Sequence, residues 1–185
     1  MSDNNLLSSA PRIAFGCQAR VGKDTACEYL VNKYGGTVFS FAAPLYEILY
    51  FAQDVCGFER AKDRKFLQYI GTEWARAQNP TVWIDIMRKQ LEQASGPLFI
   101  SDIRFANEAD MLHKLGFTLV KIERTVDTNH WPARGDQPNH ASESGMNGYK
   151  WDKVVSNNGT LDQFRVKLEQ LVKTDKLERI GHGAP

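Results

Sequence analysis

Ile13-Ala-Phe-Gly16-Cys-Gln-Ala-Arg-Val-Gly22-Lys23-Asp24-Thr25 is an apolar run that enters a turn of small residues and leaves it through Gly-Lys. A strand, a glycine-bearing turn and a helix start gather backbone N–H groups and the positive end of a helix dipole around one point, which suits a phosphate. The lysine after the last glycine of such a turn reaches the β- and γ-phosphates of a nucleotide, in the pattern Gly-x-x-x-x-Gly-Lys-Ser/Thr. The match here is relaxed. Counting back from Gly22, the first glycine position falls on Cys17, with Gly16 one residue early, and Asp24 fills the Ser/Thr slot. The flanks support the reading, because the residues up to Tyr34 read as a helix that stops at Gly35-Gly36. The alternative is an ordinary strand–turn–helix with a solvated lysine.

Working outward, 185 residues are enough for one α/β domain with a full core. The near balance of 23 basic and 22 acidic residues, net +1, disfavours a dedicated nucleic-acid surface. Three cysteines, Cys17, Cys27 and Cys56, lack Cys-x-x-Cys spacing and suggest neither a disulfide framework nor a zinc site, as expected in a reducing cytoplasm. Residues 1–10 read as a loose tail rather than a signal peptide, and no apolar run approaches the roughly 18 residues a membrane helix needs.

Strand and helix signals alternate along the chain. Arg12–Gly16 is a strand, Lys23–Tyr34 a helix and Thr37–Phe41 a strand. Pro44 then opens a helix over Leu45–Cys56, apolar enough to serve either a core or a homodimer interface. Asp63–Gln78 has helical spacing broken at Gly71, and Pro80 opens an amphipathic helix with Ile84, Met87 and Leu91 on one face. Pro97–Asp102 predicts a buried strand, Ala106–Leu115 a helix closed by Gly116, and Phe117–Glu123 the next strand. Arg124–Lys150 has little periodicity, and a loop of that length in a compact domain is expected to act as a lid. Lys153–Ser156 is a last strand, Asn157–Thr160 a turn and Leu161–Val172 a helix, with a frayed tail over 174–185. The alternation implies a five-stranded parallel sheet with helices on both faces and a ligand beyond the carboxyl ends of the strands.

Chemically suggestive residues fall at those ends. Ala42–Pro44 follow the second strand, and Asp102 and Arg104 the third. An acid there suits Mg²⁺ or its waters, and an arginine fork suits a phosphoryl oxygen. The competing reading has Asp102 capping the next helix and Arg104 pairing with Glu108. Arg124 follows the fourth strand. Gln68, Thr72 and Arg76 recur every four residues and share one helix face, and Trp83 follows downstream. Such residues can read a base edge, hold a monophosphate and stack on a base; otherwise they are a solvated face, with Trp74 and Trp83 in the core. His140-Ala-Ser142-Glu143 lies in the long loop and receives no catalytic role.

Taken together, Gly22-Lys-Asp-Thr25, Phe39-Ser-Phe-Ala-Ala-Pro-Leu45, Leu67-Gln-Tyr-Ile-Gly-Thr-Glu-Trp-Ala-Arg76, Ser101-Asp-Ile-Arg-Phe-Ala-Asn-Glu-Ala109 and His140-Ala-Ser-Glu143 resemble the phage-type deoxynucleoside monophosphate kinases over roughly residues 12 to 172. The resemblance implies a P-loop kinase fold and transfer of the ATP γ-phosphate to a deoxynucleoside 5′-monophosphate with Mg²⁺. It implies that Ala19, Arg20, Val21, Gly22, Lys23, Asp24, Thr25 and Ala26 hold the ATP phosphates. Ala42, Gln68, Thr72, Arg76, Trp83 and Glu108 would line the acceptor site. Lys23, Asp102, Arg104 and Arg124 would serve the transfer, with Asp24 and Asp102 toward the metal, directly or through water. The chain departs from its relatives in having Cys17 for the first glycine, and Tyr46 where they often carry lysine. The partners expected are small-molecule nucleotides, with neither membrane nor nucleic acid, in the cytoplasm, that of the host if a phage encodes the chain. Two alternatives share the pocket: a kinase acting on a hydroxymethylated base in DNA, and a nucleotide-binding regulator without transferase activity.

Overall fold

A computed structural model describes residues 10–16, 19–125 and 141–181. Five parallel strands, β1 (Arg12–Gly16), β2 (Thr37–Phe39), β3 (Leu98–Ile103), β4 (Thr118–Glu123) and β5 (Lys153–Ser156), form one sheet in the order β2-β3-β1-β4-β5. The central strand is buried on both faces, and its side chains alternate between two cores. Ile13 and Phe15 face helices α1 (Lys23–Tyr34) and α8 (Leu161–Gly181), meeting Leu30, Phe164 and Leu168. Ala14 faces α5 (Val82–Glu92) and α6 (Ala106–Lys114), with Met87, Leu91 and Leu112 around it. Between β2 and β3 lie also α2 (Ala43–Val55), α3 (Arg64–Gln68), a π turn (Tyr69–Trp74) and α4 (Ala75–Gln78); α7 (Ala141–Ser144) precedes β5. Because β3 and β4 flank β1 on opposite sides, the turns leaving these three strands meet at the carboxyl edge of the sheet.

Three expectations change. The second strand stops at Phe39 rather than Phe41, because the following N–H groups turn away to a carboxylate on β3. Gly71 does not break the helix. The chain stays helical from Arg64 to Gln78 through the π turn, and Gly71 makes room for Leu45, whose Cδ1 would lie 3.1 Å from a Cβ there. The region after Thr174 is not frayed as far as Gly181, since α8 continues to that residue. Asp175, 1% exposed, accepts from Thr118 Oγ1 at 2.5 Å and from Arg179 Nε at 2.9 Å. Arg179 in turn donates to the carbonyls of Arg12 and Gly116 and ties the last turns to the sheet.

Candidate active site

The turn after β1 carries two left-handed residues, Arg20 at φ 64° and Gly22 at φ 105°. Gly22 is the N-cap of α1, so the free N–H groups of that helix open onto the turn with Lys23 as its first residue. Lys23 is half-buried and Asp24 exposed, while Val21 is buried beneath the turn. Gly16, which the motif places one position early, has its own cause. A Cβ there would lie 2.3 Å from Trp151 Cη2.

Asp102, near the carboxyl end of β3, holds the turn between β2 and α2. Its Oδ2 accepts from Ser40 Oγ at 2.7 Å and Ala42 N at 2.9 Å, and its Oδ1 from Phe41 N at 2.8 Å. It does not cap α6. Three of roughly four acceptor positions are therefore taken. Ala42 also gives its carbonyl to Tyr46 N, which leaves its backbone fully engaged. Tyr46 lies against Tyr50, with Lys62 Nζ 5.9 Å from the centre of the Tyr46 ring.

Beside this clamp, at the ends of β3 and β4, is a cleft of about 560 Å³ lined by Arg104, Lys121, Arg124, Tyr149, Trp151 and Asn158 among others. The structure thus brings Arg104 and Arg124 onto one concavity, whose lining among the described residues includes none of the phosphate loop. Lys121, Tyr149 and Trp151 escaped the sequence reading. Lys121 left a trace, because a cation shares the Leu119 side of an apolar strand. Tyr149 and Trp151 meet edge to face at 5.7 Å, and Tyr149 donates to Asp110 at 2.9 Å. Burial and Asp110 push the Tyr149 hydroxyl up to about 12. Gly145 lets the 141–148 turn sit directly on this wall, since a Cβ there would lie 2.5 Å from the Arg104 carbonyl. His140 and most of the expected lid lie outside the described residues.

Arg76 and Glu108 join α4 to α6. Arg76 NH2 donates to Glu108 Oε1, NH1 donates to the Pro80 carbonyl at 3.2 Å, and the guanidinium lies 4.1 Å from the centre of the Phe105 ring. Glu108 Oε2 accepts from the N–H groups of Arg104 at 2.8 Å and Phe105 at 3.1 Å. One carboxylate therefore ties the α4 arginine to the backbone of the β3–α6 turn. Burial lifts Glu108 to about 7 against the pull of those donors and of Arg76, and lowers Arg76 from its usual value. Arg104 meets Glu108 here through its backbone N–H. Gln68, on α3, has a buried Nε2 with no hydrogen-bond partner among the described residues, and Thr72 is half-buried in the π turn. Trp83 is corrected. It is 5% exposed with its indole N–H on the Gly71 carbonyl at 2.9 Å, so it offers no ring face for stacking. Trp74 is 48% exposed and does not belong to the core.

The sequence model of the family Deoxynucleotide monophosphate kinase matches residues 55–168, more than half of the chain. This chain belongs to that family. A protein of Acanthamoeba polyphaga mimivirus named "Putative deoxynucleotide monophosphate kinase" is 30% identical over 176 residues, spanning 77% of this chain and 86% of its own length. "Uncharacterized protein ORF77" of Ictalurid herpesvirus 1 (strain Auburn) is 30% identical over 164 residues, with 84% of this chain and 68% of that protein covered. Among solved structures, a gluconokinase from Sinorhizobium meliloti 1021 superposes with TM-score 0.57 at 11% identity, covering 95% of this chain and 98% of its own. A dephospho-CoA kinase from Campylobacter jejuni does so with TM-score 0.51 at 13% identity, covering 90% and 97%. These neighbours establish the P-loop kinase fold. As a member of the deoxynucleotide monophosphate kinase family, the chain is an ATP-dependent phosphotransferase of the nucleotide-kinase kind. No helix among the described residues is long and apolar enough to cross a membrane.

Proposed function

We propose that the enzyme transfers the γ-phosphate of ATP to a deoxynucleoside 5′-monophosphate, giving ADP and the deoxynucleoside diphosphate. The observation that carries this reading is where the family match lies. Residues 55–168 begin beyond the phosphate loop common to many kinases, and take in Gln68–Arg76, Asp102–Glu108 and Arg124. That span is the part of the chain to which this reading gives the acceptor and the transfer.

In this reading Ala19–Ala26 cradle the donor phosphates, and Lys23, Arg104 and Arg124 neutralise charge on the phosphoryl group as it moves. The acceptor phosphate is already anionic and needs no strong base. Mg²⁺, when bound, adds charge neutralisation between donor and acceptor. A hard cation of this kind takes one or two carboxylates plus phosphate oxygens, which suits Asp24 and Asp102. Asp102, with three donors already on it, fits a hold through water. The unpartnered Gln68 amide supports a polar acceptor over α3, because a buried donor left unpaired costs about 1–3 kcal/mol. Arg76 spends two of its five N–H groups on Pro80 and Glu108, leaving three for a monophosphate. Ala42 and Trp83 shape this side by position alone. In this reading the enzyme prepares deoxynucleotides in the cytoplasm, that of the host if a phage encodes it.

ADP formation with ATP·Mg²⁺ and each of dAMP, dGMP, dCMP, dTMP and 5-hydroxymethyl-dCMP tests the reading. Turnover that depends on a monophosphate supports it; turnover that depends on DNA, or binding without turnover, rejects it. In the double variant Arg76→Ala/Glu108→Gln, which strands no charge, the acceptor KM should rise about tenfold or more with the ATP KM within threefold. A selective rise in the ATP KM would remove Arg76 from the acceptor side.

A further inference from the structure

The turn after β5 begins with two adjacent asparagines, and each reaches a different part of the catalytic edge. Asn157 Nδ2 donates to the Val21 carbonyl at 2.8 Å, inside the phosphate loop. The same amide nitrogen lies 2.6 Å from where a Gly22 Cβ would stand, so it fills the space that the glycine leaves. Asn157 N donates to the Glu123 carbonyl at 2.7 Å, which anchors the turn to the end of β4. Asn158 Oδ1 accepts from Thr125 N at 2.6 Å, directly after Arg124, and Asn158 lines the same cleft as Arg104 and Arg124.

We infer that Asn157 and Asn158 are positioning residues, the first setting the backbone of the phosphate loop beneath Lys23 and the second setting the backbone that carries Arg124. This rests on the kinase reading for the roles of Lys23 and Arg124. The chemistry of the two amides differs, which makes the inference testable. Asn157 acts through an N–H donor, so an isosteric aspartate cannot replace it. Asn158 acts through a carbonyl acceptor, so an aspartate can. Val21 is 1% exposed, and its carbonyl loses a half-buried donor when Asn157 is changed.

The full-length chain is compared with Asn157→Ala, Asn157→Asp, Asn158→Ala and Asn158→Asp in steady-state ADP formation, by titration calorimetry with a non-hydrolysable ATP analogue, and by thermal melting. Both Asn157 variants should weaken the ATP analogue about tenfold and raise the ATP KM, leaving the acceptor KM within threefold. Asn158→Ala should lower kcat about threefold with little change in analogue affinity, while Asn158→Asp, which keeps the acceptor, should lose less. Asn157→Asp binding the analogue as wild type does would overturn the inference. So would Asn158→Asp impaired as much as Asn158→Ala, or losses that merely follow the melting temperature. The calorimetric arm needs no turnover, so an absence of monophosphate-dependent ADP formation in the wild type defeats the acceptor assignment while Asn157 is still tested.

Discussion

Arg76→Ala should destabilise the protein by an amount that grows with pH. The Arg76–Glu108 pair is nearly dry, with 11% and 2% of the side chains exposed. Burial lifts Glu108 to about 7, Arg76 pulls it down, and deleting the arginine lets it climb further. The sign follows from linkage. A carboxyl whose folded pKa stands above its unfolded value contributes stability that is complete below the unfolded value, and loses it as pH rises through the folded one. For the wild type that window runs from about 4.5 to about 7, and for Arg76→Ala it extends higher. Between the two folded values, each pH unit widens the difference by about 1.4 kcal/mol. Toward pH 6, proton uptake by Glu108 offsets the loss of its partner, and the variant loses chiefly the stacking on Phe105 and the bond to Pro80, about 1 kcal/mol. At pH 8 the loss should reach about 2–3 kcal/mol. Stranding a buried charge usually costs about 3–5 kcal/mol; here the carboxyl escapes part of that by taking a proton. Urea unfolding of wild type, Arg76→Ala, Glu108→Gln and the double variant at pH 6 and pH 8 measures this, with the double variant losing less than the sum of the single ones. An equal cost at both pH values, or strict additivity, would refute the reasoning.

Lys23→Ala should cut kcat at least a hundredfold without lowering the melting temperature, because a preorganised contact to the moving phosphoryl group is worth about 3–4 kcal/mol; turnover within tenfold of wild type counts against the phosphate-loop assignment. Lys33→Ala, on the same helix as Lys23, removes only exposed contacts with Tyr29 and with Glu169 of α8 and should leave turnover within twofold. Asp102→Ala releases three donors at residues 40–42 and should cost about 3 kcal/mol in urea unfolding, whereas a loss under about 1 kcal/mol would mean the clamp is dispensable. Gly145→Ala forces a Cβ against the Arg104 carbonyl and should cost about 1–3 kcal/mol and lower kcat, an idea that fails if both are unchanged.

The parallel sheet was legible because β1, β3 and β4 are apolar runs whose boundaries are local. Arg12–Gly16 and Lys153–Ser156 are bounded in the structure as the residues predict. Ends set by distant partners were not legible. β2 stops early because Asp102, some sixty positions along, takes the next N–H groups, and α8 runs on because Asp175 and Arg179 find partners on β4 and near β1. Gly71 looked like a break because glycine in a helix interior is costly; its reason is the approach of Leu45. On the site side, helical spacing marked Gln68, Thr72 and Arg76 but could not say that Trp83 turns inward or that Glu108 would clasp Arg76. Those facts depend on how α4 and α5 pack against α6. Lys121 and the asparagine pair carried weaker signals, a cation in an apolar strand and a turn dipeptide, whose meaning depends on which neighbours the sheet order supplies.

The most direct test of the central claim follows the phosphoryl group itself. ATP labelled in its γ-phosphate is mixed with excess enzyme, Mg²⁺ and a single deoxynucleoside monophosphate, and the products are separated chromatographically after one turnover. The account predicts that the label moves into the deoxynucleoside diphosphate, with none transferred by Lys23→Ala on the same timescale. Label that appears only as free phosphate, or in DNA when DNA is supplied, or that stays in ATP with every monophosphate offered, would contradict it.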